Sequence, residues 1–307
     1  MLSGLRRAAA GFVLGGMLVF SPLGVVSSTN ASVVSGVAAT APAPGRVPRF
    51  GRVVVIVFEN HGYSQIIGNA AAPSFNSLAR RYALLTNYYA VAHPSLPNYL
   101  AMISGSTQGI TNDCTRCRVG ALNLADSLDT AHKSWKVYAE GLPHPGFIGA
   151  GSGLYAKKHV PFLYFKDVLK RRSRLRRIVP LSSFRRDLRA QRLPDFSLIV
   201  PNLCHDMHSC PVATGDAWLG AFLPSLLSSP ELKGGAVFVV FDETDNDSAH
   251  GGGHVPVIVA GSLVRHGARA TGFLDHYGLL RTIEQSWRLR LLGKSRSAPP
   301  VTGIWRP

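Results

Sequence analysis

Residues 235–245 read Gly-Ala-Val-Phe-Val-Val-Phe-Asp-Glu-Thr-Asp, and this stretch decides the fold class. Its apolar part is a continuous run of mostly β-branched and aromatic residues, which is typical of a strand buried on both faces of a parallel sheet. Asp242 and Glu243 follow at the carboxyl end of the strand, where open α/β sheets bind their ligands. A second apolar run ends in the same way, in Glu59 and Asn60. Two strands that end in acidic or amide side chains predict a metal site at one sheet edge.

The rest of the chain alternates between strand patterns and helix patterns. The predicted strands are residues 53–58, 84–91, 134–139, 196–200, 236–241 and 255–260, and the predicted helices are residues 73–82, 97–103, 216–227 and 276–289. Strands that alternate with helices predict an α/β fold with a mainly parallel central sheet and helices on both faces. We expect a single domain over residues 50–307.

The amino terminus has the pattern of a secretory signal peptide over residues 1–31. Arg6 and Arg7 precede an apolar run, and small residues follow it. An uncleaved membrane anchor is the alternative, because the run approaches the about 20 residues that a span needs. Residues 32–49 lack periodicity and predict a flexible lead. We therefore expect a secreted or extracytoplasmic protein, with association to the cell envelope as an open alternative.

Four cysteines agree with an oxidising compartment, namely Cys114, Cys117, Cys204 and Cys210. Four cysteines allow three disulfide connectivities, of which we favour the two local pairs. Zinc binding by Cys114 and Cys117 is the alternative, but a second pair at zinc-finger spacing is missing. A thioredoxin-like redox role lacks the strand and helix order that it needs.

The formal charge of +16 is concentrated in one part of the chain. Residues 166–192 contain eleven Lys or Arg against Asp167 and Asp187, a local charge of +9. This segment is either a solvated, partly helical surface insertion or a surface that collects anionic substrates or lipid headgroups. Nucleic acid is the less favoured partner, because Phe184 is the only aromatic residue available for base stacking.

The stretch His93-Pro-Ser-Leu-Pro-Asn-Tyr99 places Ser95 between a predicted strand and a predicted helix. Ser95 can simply cap the helix with its hydroxyl. Alternatively, the helix N-terminus favours an incoming phosphate there, and a nearby metal ion would make Ser95 a nucleophile. Asn98 is close enough in sequence to donate a hydrogen bond to a phosphoryl oxygen.

Histidine and carboxylate side chains follow another predicted strand and recur near the carboxyl terminus. They are His205, Asp206 and His208, and then His250, His254 and His276. Such residues at a strand end are common metal ligands. The alternatives are a polar loop tied by a disulfide, and histidines that only stabilise the fold.

The chain resembles the phosphoesterase family of the alkaline phosphatase superfamily, the group that holds bacterial acid phosphatases and phospholipases C. The similarity extends from about residue 53 to residue 305. It rests on the motif at residues 93–100 and on residues 59–60, 67–69, 155–161, 201–202, 206–208, 215–219, 242–243, 276–277 and 298–300.

The resemblance implies roles for individual residues. Ser95 is the implied nucleophile, and His208 or His276 is the implied acid for the leaving group. The implied metal ligands are Glu59, Asn60, Asp242 and Glu243 for one ion, and Asp206, His208 and His276 for a second cluster. The implied substrate contacts are His93, Asn98, Lys158 and His159. His205 and His254 rank below these as candidate ligands.

The implied ligand set bears on the metal. Zinc members of the superfamily pair Asp with His where this chain has Asp242 and Glu243. We expect one or two divalent ions. Because an oxygen ligand replaces nitrogen, Mg, Mn, Ca or Fe is favoured over Zn.

The function predicted first is a secreted, metal-dependent phosphomonoesterase of the acid phosphatase kind, which would act through a phosphoserine intermediate. Its partners would be phosphomonoesters, with phosphoinositides or an anionic membrane surface among them, and we expect a monomer. A protonated histidine would aid activity at mildly acid pH. The alternatives are a phospholipase C or other phosphodiesterase, and an inactive protein that binds anionic surfaces.

Overall fold

The computed structural model describes residues 46–307. The predicted signal peptide, residues 1–31, and most of the predicted flexible lead, residues 32–49, lie outside the described residues. Within residues 46–307, no helix combines the length and the apolar character needed to cross a membrane.

The elements alternate along the chain as predicted. The strands are β1 Val53–Phe58, β2 Ala83–Leu85, β3 Tyr88–Tyr89, β4 Trp135–Ala139, β5 Gly151–Ser152, β6 Tyr155–Ala156, β7 Ile178–Pro180, β8 Phe196–Val200, β9 Ala236–Phe241, β10 Val257–Ala260, β11 Arg269–Ala270 and β12 Leu274–Asp275. The α-helices are α1 Tyr63–Ile66, α2 Pro73–Arg81, α3 Ser95–Ser104, α4 Leu124–Thr130, α5 Lys166–Lys170, α6 Arg172–Leu175, α7 Ser182–Arg189, α8 Val212–Leu227 and α9 His276–Trp287. Short 3₁₀ helices cover Lys157–His159, Pro161–Tyr164, Pro230–Leu232, Ala249–Gly251 and Gly293–Arg296.

The central sheet has eight strands in the order β11-β2-β10-β9-β1-β8-β4-β7. The five strands β9, β1, β8, β4 and β7 run parallel to one another. β10 is antiparallel to both of its neighbours, β9 and β2. In β1, Val53 is in register with Phe196 of β8 and with Ala236 of β9. The mainly parallel α/β sheet that the alternation predicts is confirmed.

Helices cover both faces of this sheet because successive side chains of a strand point to opposite sides. Val55 of β1 faces Tyr99 of α3 across a small apolar void. Phe58 faces the other side and packs edge-on against Phe75 of α2 and Trp218 of α8. Every residue of β1 and of β9 is buried, which explains their continuous apolar sequences.

The predicted strand over residues 84–91 is wrong as a single element. The chain forms β2 in the central sheet, and then β3, which pairs with β12 in a separate two-stranded sheet. The backbone N–H groups of Leu84 and Thr86 donate to the carbonyls of Ala268 and Ala270, and Leu274 then donates to the Asn87 carbonyl. The chain therefore changes partners between Thr86 and Asn87, and an apolar pattern does not reveal such a change.

Residues 166–192, the basic segment, contain α5, α6, β7 and α7. β7 is the edge strand of the central sheet and pairs with β4. Arg174 is only 4% exposed and forms ion pairs with the carboxylates of α4 residues Asp126 and Asp129. Part of the basic character thus stabilises the fold, while nine of the eleven basic side chains stay exposed to solvent.

All four cysteines form disulfides. Cys114 pairs with Cys117, and Cys204 pairs with Cys210. The predicted local connectivity is confirmed, and with both pairs oxidised no thiolate remains for zinc.

Glu284 on α9 should make the stability of the fold depend on pH. Its carboxylate is buried and accepts hydrogen bonds from Leu292 N–H at 2.9 Å and Ser295 Oγ at 2.6 Å. Burial raises its pKa from an ordinary value of 4.5 to about 7. The folded chain therefore holds a proton that the unfolded chain has released, and stability falls as pH rises from about 4.5 through 7. We expect the melting temperature of Glu284→Gln, relative to that of the parent, to rise across this window in thermal unfolding. A difference that does not change with pH would contradict this assignment.

Candidate active site

Ser95 lies at the first residue of α3 and is buried at the carboxyl edge of the sheet. Its Oγ is 2.9 Å from Oε2 of Glu59 and 3.0 Å from Oε1 of Glu243. These carboxylates follow the neighbouring parallel strands β1 and β9, which explains why they converge on one hydroxyl. A serine held between two carboxylates has acceptors for its proton on either side, whereas a serine that only caps a helix would bond to backbone N–H groups. No such side-chain cap is formed here.

Glu59, His159 and Asp206 form a buried cluster beside Ser95. Each offers one ligand atom within 4.8 Å of the others, the arrangement expected for a metal site. His159 Nε2 is 3.1 Å from Glu59 Oε1, and its Nδ1 is 3.2 Å from Asp206 Oδ2. Tyr99 Oη donates to Glu59 Oε1 at 2.6 Å, and its ring stacks on that of His159.

Unsatisfied polar atoms show that a cation fits this cluster. Within residues 46–307, His159 Nε2, Asp206 Oδ2 and Asp242 Oδ2 are buried and form no hydrogen bond of suitable geometry, although His159 lies close to both Glu59 and Asp206. Buried polar atoms without partners are rare and call for an explanation such as a bound ion. Three unsatisfied atoms of ligating type, two in the cluster and one on Asp242, therefore support a divalent metal ion.

The pKa values of the carboxyl groups in and beside the cluster also indicate a site for positive charge. Burial raises the pKa of Glu59 and of Asp242 well above their ordinary values, and negative neighbours add to both shifts, Asp206 for Glu59, and Glu59 with Glu243 for Asp242. Burial also raises the pKa of Asp206 to about 8 and moves that of Glu243 upward. Such shifts mean that the ionised groups lack compensation, which a divalent cation would supply.

His159 lies in a different place from the one expected. The family resemblance implied a contact with the substrate phosphate, but its side chain is 1% exposed and lies between Glu59 and Asp206. Burial lowers its pKa to about 3, so the ring is neutral and can offer a lone pair. We therefore reassign His159 from substrate contact to candidate metal ligand.

Lys158 and His208 lie together at the rim of the cluster. Lys158 Nζ donates to Asp113 Oδ2 at 2.8 Å and lies 3.2 Å from His208 Nε2. Asp113 Oδ1 in turn accepts from the Leu96 N–H at 3.0 Å, next to Ser95. The Asp113 carboxylate thus occupies a position suited to an anion, between Lys158 and the first turn of α3.

The expectation of a protonated histidine acid at mildly acid pH is not supported at His208. Burial and the neighbouring Lys158 lower its pKa to about 4, so the ring is neutral above that pH. His208 also lies outside the cluster of Glu59, His159 and Asp206, although its backbone N–H donates to Asp206 Oδ1 at 2.8 Å.

Both ring nitrogens of His276 contact groups within the fold. Its Nδ1 is 3.0 Å from Tyr88 Oη and its Nε2 is 2.6 Å from the Asp242 carbonyl oxygen, so neither nitrogen is free to bind a metal. Burial lowers its pKa to about 4, which also argues against a role as a protonated acid. The structure therefore places His276 as a support for the backbone that carries Asp242, outside the ligand cluster.

Three other predicted residues shape the site in different ways. Asn98 is fully buried, and its Oδ1 accepts from the N–H groups of Val91 and Ala92, so it braces the loop before Ser95 and does not face a substrate. His93 is exposed and pairs through Nδ1 with Glu243. Asn60 adopts a φ of 57°, and its backbone N–H donates to Asp242 Oδ1 at 3.2 Å.

His205 and His254 have partners outside the cluster. His205 Nδ1 is 2.8 Å from Glu140 Oε2. His254 stacks on Tyr63 with ring centroids 4.5 Å apart, and its Nε2 is 3.1 Å from the Thr86 carbonyl oxygen. The structure does not bring either ring to Ser95.

Two residues of the site were not predicted from the sequence. Tyr99 belongs to the quoted motif, but nothing in the pattern shows that its hydroxyl reaches Glu59. Asp113 lies in a polar loop, and its position beside Cys114 was the one available signal, because a disulfide restrains the loop that carries it.

Comparison with known proteins shows the family to which the chain belongs. A model of the Phosphoesterase family matches residues 69–290. The chain is 35% identical over 292 residues to the phosphatidylinositol-3-phosphatase of Mycobacterium tuberculosis, and the match covers 94% of this chain and 95% of that protein. It is 31% identical over 255 residues to an acid phosphatase of Aspergillus fumigatus, where the match covers 80% of this chain and 56% of that protein.

Solved structures agree on the fold. A protein in the alkaline phosphatase superfamily from Vibrio parahaemolyticus superimposes with a TM-score of 0.59 at 13% identity, covering 84% of this chain and 72% of that chain. The lipoteichoic acid synthase LtaP from Listeria monocytogenes gives a TM-score of 0.56 at 9% identity, covering 81% and 78%. The chain therefore belongs to the Phosphoesterase family, shares its fold with a protein of the alkaline phosphatase superfamily, and is a hydrolase of phosphate esters.

Proposed function

We propose that the protein is a metal-dependent phosphomonoesterase that uses Ser95 as its nucleophile. The observation that carries the proposal is the position of Ser95 Oγ, 2.9 Å from Glu59 and 3.0 Å from Glu243, at the start of α3. A buried hydroxyl between two carboxylates has a base to take its proton, and the helix start favours an anion beside it.

Glu59, His159 and Asp206 would hold the metal ion, with Asp242 as a further candidate ligand. A divalent ion there would supply charge stabilisation and a lower pKa for the serine hydroxyl. The cluster is rich in carboxylate oxygen and includes one imidazole. Oxygen ligands disfavour zinc, and the imidazole favours Mn or Fe over Ca within the group that we expect.

In the proposed reaction, Ser95 Oγ attacks phosphorus and its proton passes to Glu243 or Glu59. The bond between phosphorus and the ester oxygen breaks, and the alcohol leaves with a proton from solvent. Water then hydrolyses the phosphoserine, and Ser95 regains its proton. Lys158 would hold a phosphoryl oxygen in place of the Asp113 carboxylate that it now contacts.

The similarity to the mycobacterial phosphatidylinositol-3-phosphatase supports phosphoinositides as substrates. The deciding experiment is a phosphate-release screen of the purified protein over p-nitrophenyl phosphate, phosphatidylinositol 3-phosphate and bis-p-nitrophenyl phosphate, with and without chelator. We expect chelator-sensitive turnover of the two monoesters. Preferential turnover of the diester would favour the phospholipase C alternative. An absence of turnover with every substrate, at saturating metal, would favour an inactive binding protein.

Lys158→Ala should raise KM for p-nitrophenyl phosphate by about tenfold, with a smaller change in kcat, because one charged hydrogen bond to the phosphoryl group is lost. The inhibition constant of inorganic phosphate should rise in parallel. Lys166→Ala is the matched control, since it removes an exposed lysine of the basic segment. An unchanged KM in Lys158→Ala would exclude Lys158 from phosphate binding.

A further inference from the structure

Two exposed apolar side chains lie in one loop of the protein. Within residues 46–307, the large apolar residues with high exposure are Leu122, Ile148, Leu154 and Phe273. Ile148 is 51% exposed and Leu154 is 47% exposed, and both belong to residues 141–156, which we call the rim loop. The rim loop leads from β4 to the turn that carries Lys158 and His159. Single exposed apolar residues are ordinary on protein surfaces, but two in one loop beside a catalytic centre need an explanation.

The rim loop lies directly beside the active-site cluster. The Leu154 carbonyl accepts a hydrogen bond from the Leu203 N–H at 3.0 Å, and Leu203 belongs to the loop that carries Asp206. Leu203 is itself partly exposed. The apolar surface of the rim loop therefore continues onto the loop that supplies a candidate metal ligand.

Exposed arginines flank the rim loop on the side of the basic segment. The Gly146 N–H donates to the Ile178 carbonyl at 2.8 Å, and a methyl group added to Gly146 would lie 3.0 Å from Leu175 of α6. This close packing fixes the rim loop beside Arg171, Arg172 and Arg176, which are all exposed.

Two more arginines lie near the carboxyl end of the rim loop. Lys157, which directly follows the rim loop, donates from Nζ to the Thr115 carbonyl at 2.7 Å. Thr115 lies in the loop closed by the first disulfide, which also carries Arg116 and is followed by Arg118. Both arginines are exposed, and neither forms an ion pair with any residue in 46–307. Asp113, which lies three residues before Arg116 in the sequence, is paired with Lys158.

We propose that this face docks on an anionic lipid bilayer, with Ile148 and Leu154 inserted among the headgroups. Five arginines near the rim loop would bind lipid phosphates, namely Arg116, Arg118, Arg171, Arg172 and Arg176. Apolar side chains that enter the interface beside basic side chains are the combination by which peripheral proteins bind anionic membranes. The proposal rests on the proposed function, because docking would bring a phosphorylated lipid headgroup to the edge where Ser95 lies.

Charge favours a lipid surface over a second copy of this chain. Two copies that met through this face would bring like-charged arginines together, whereas anionic headgroups complement them. Salt should therefore weaken docking, since exposed charges are screened over about 8 Å at physiological ionic strength.

Vesicle sedimentation tests the proposal without any need for turnover. The probe is phosphatidylcholine vesicles with and without phosphatidylserine. We expect the parent to sediment with the phosphatidylserine vesicles and to be released by salt. The double variant Ile148→Asp with Leu154→Asp should bind them at least about tenfold more weakly, because it removes two inserted apolar side chains. Arg171→Glu with Arg172→Glu should weaken binding to a similar extent.

The matched control is Leu122→Asp, which removes an apolar side chain of similar exposure, 45%, outside the rim loop. It should bind vesicles as the parent does. All the variants should retain turnover of soluble p-nitrophenyl phosphate, which would show that they are folded.

A parent that hydrolyses this substrate but does not bind anionic vesicles would overturn the docking proposal alone. Vesicle binding that the rim-loop variants leave intact, or self-association through this face in its place, would also overturn it. A parent that binds vesicles through the rim loop but hydrolyses nothing would refute the proposed function and leave the docking surface standing.

Discussion

Ser95→Ala should lower kcat for p-nitrophenyl phosphate by at least about a thousandfold, because the variant has no group that can form the covalent intermediate. The alanine removes only the hydroxyl that lies between Glu59 and Glu243. The fold should therefore persist, and metal binding should remain measurable. Quenched turnover of the parent should yield a phosphorylated peptide that contains Ser95, and the variant should yield none.

Ser104→Ala is the matched control for Ser95→Ala. Ser104 is a buried serine at the opposite end of α3, and its Oγ donates to the Leu100 carbonyl at 2.7 Å. Its replacement should cost some stability and leave kcat nearly unchanged. If folded Ser95→Ala turned over as fast as Ser104→Ala, the serine mechanism would be excluded.

Glu59→Gln should abolish the stabilisation of the protein by metal. At about 100 times its Kd, a bound ion adds about 2.7 kcal/mol, which corresponds to a rise of roughly 5–10 °C in Tm. Thermal unfolding with chelator and with Mn should show this rise in the parent. In the variant, we expect little or no rise, because one carboxylate of the buried cluster is lost.

The same variant should behave differently without metal. Glu59 is buried, its pKa is raised by burial and by the negative charge of Asp206, and it in turn raises the pKa of Asp242. Removal of that charge should leave Tm in chelator equal to or above that of the parent. Glu140→Gln is the control, because Glu140 follows β4, which β8 separates from β1, and pairs with His205 outside the cluster. A parent-like response to metal in Glu59→Gln would exclude Glu59 as a ligand.

The fold and one half of the candidate site could be predicted from the sequence for a physical reason. A strand buried on both faces has a continuous apolar sequence, and its first polar residues must lie at the sheet edge. This pattern predicts that Glu59, Asp242 and Glu243 lie together at that edge. The motif around Ser95 placed a hydroxyl at a helix start, which the structure confirms.

The other half of the site depends on which way each side chain turns, and sequence patterns do not carry that information. His159 and His276 were both candidate site residues. One lies between two carboxylates with an unsatisfied nitrogen, and the other has both nitrogens engaged by Tyr88 and a backbone carbonyl. Asn98 shows the same limit, because its sequence position suits a phosphate contact while its amide is occupied by the backbone of its own loop.

The order of strands in the central sheet also bears on how the chain acquires its catalytic centre. β1 is the first strand of the described chain, yet it lies between β8 and β9, to which it is joined over residues 196–199 and 236–241. Pairings between distant parts of a chain form late and slow folding. During synthesis Glu59 is added early, whereas Asp206 and Asp242 are added only after most of the chain has been made. A nascent or truncated chain that stops before Phe241 would lack Asp242 and a complete β9, the strand that supports β1 on one side, so newly made protein should acquire its full metal affinity only after β9 has been added.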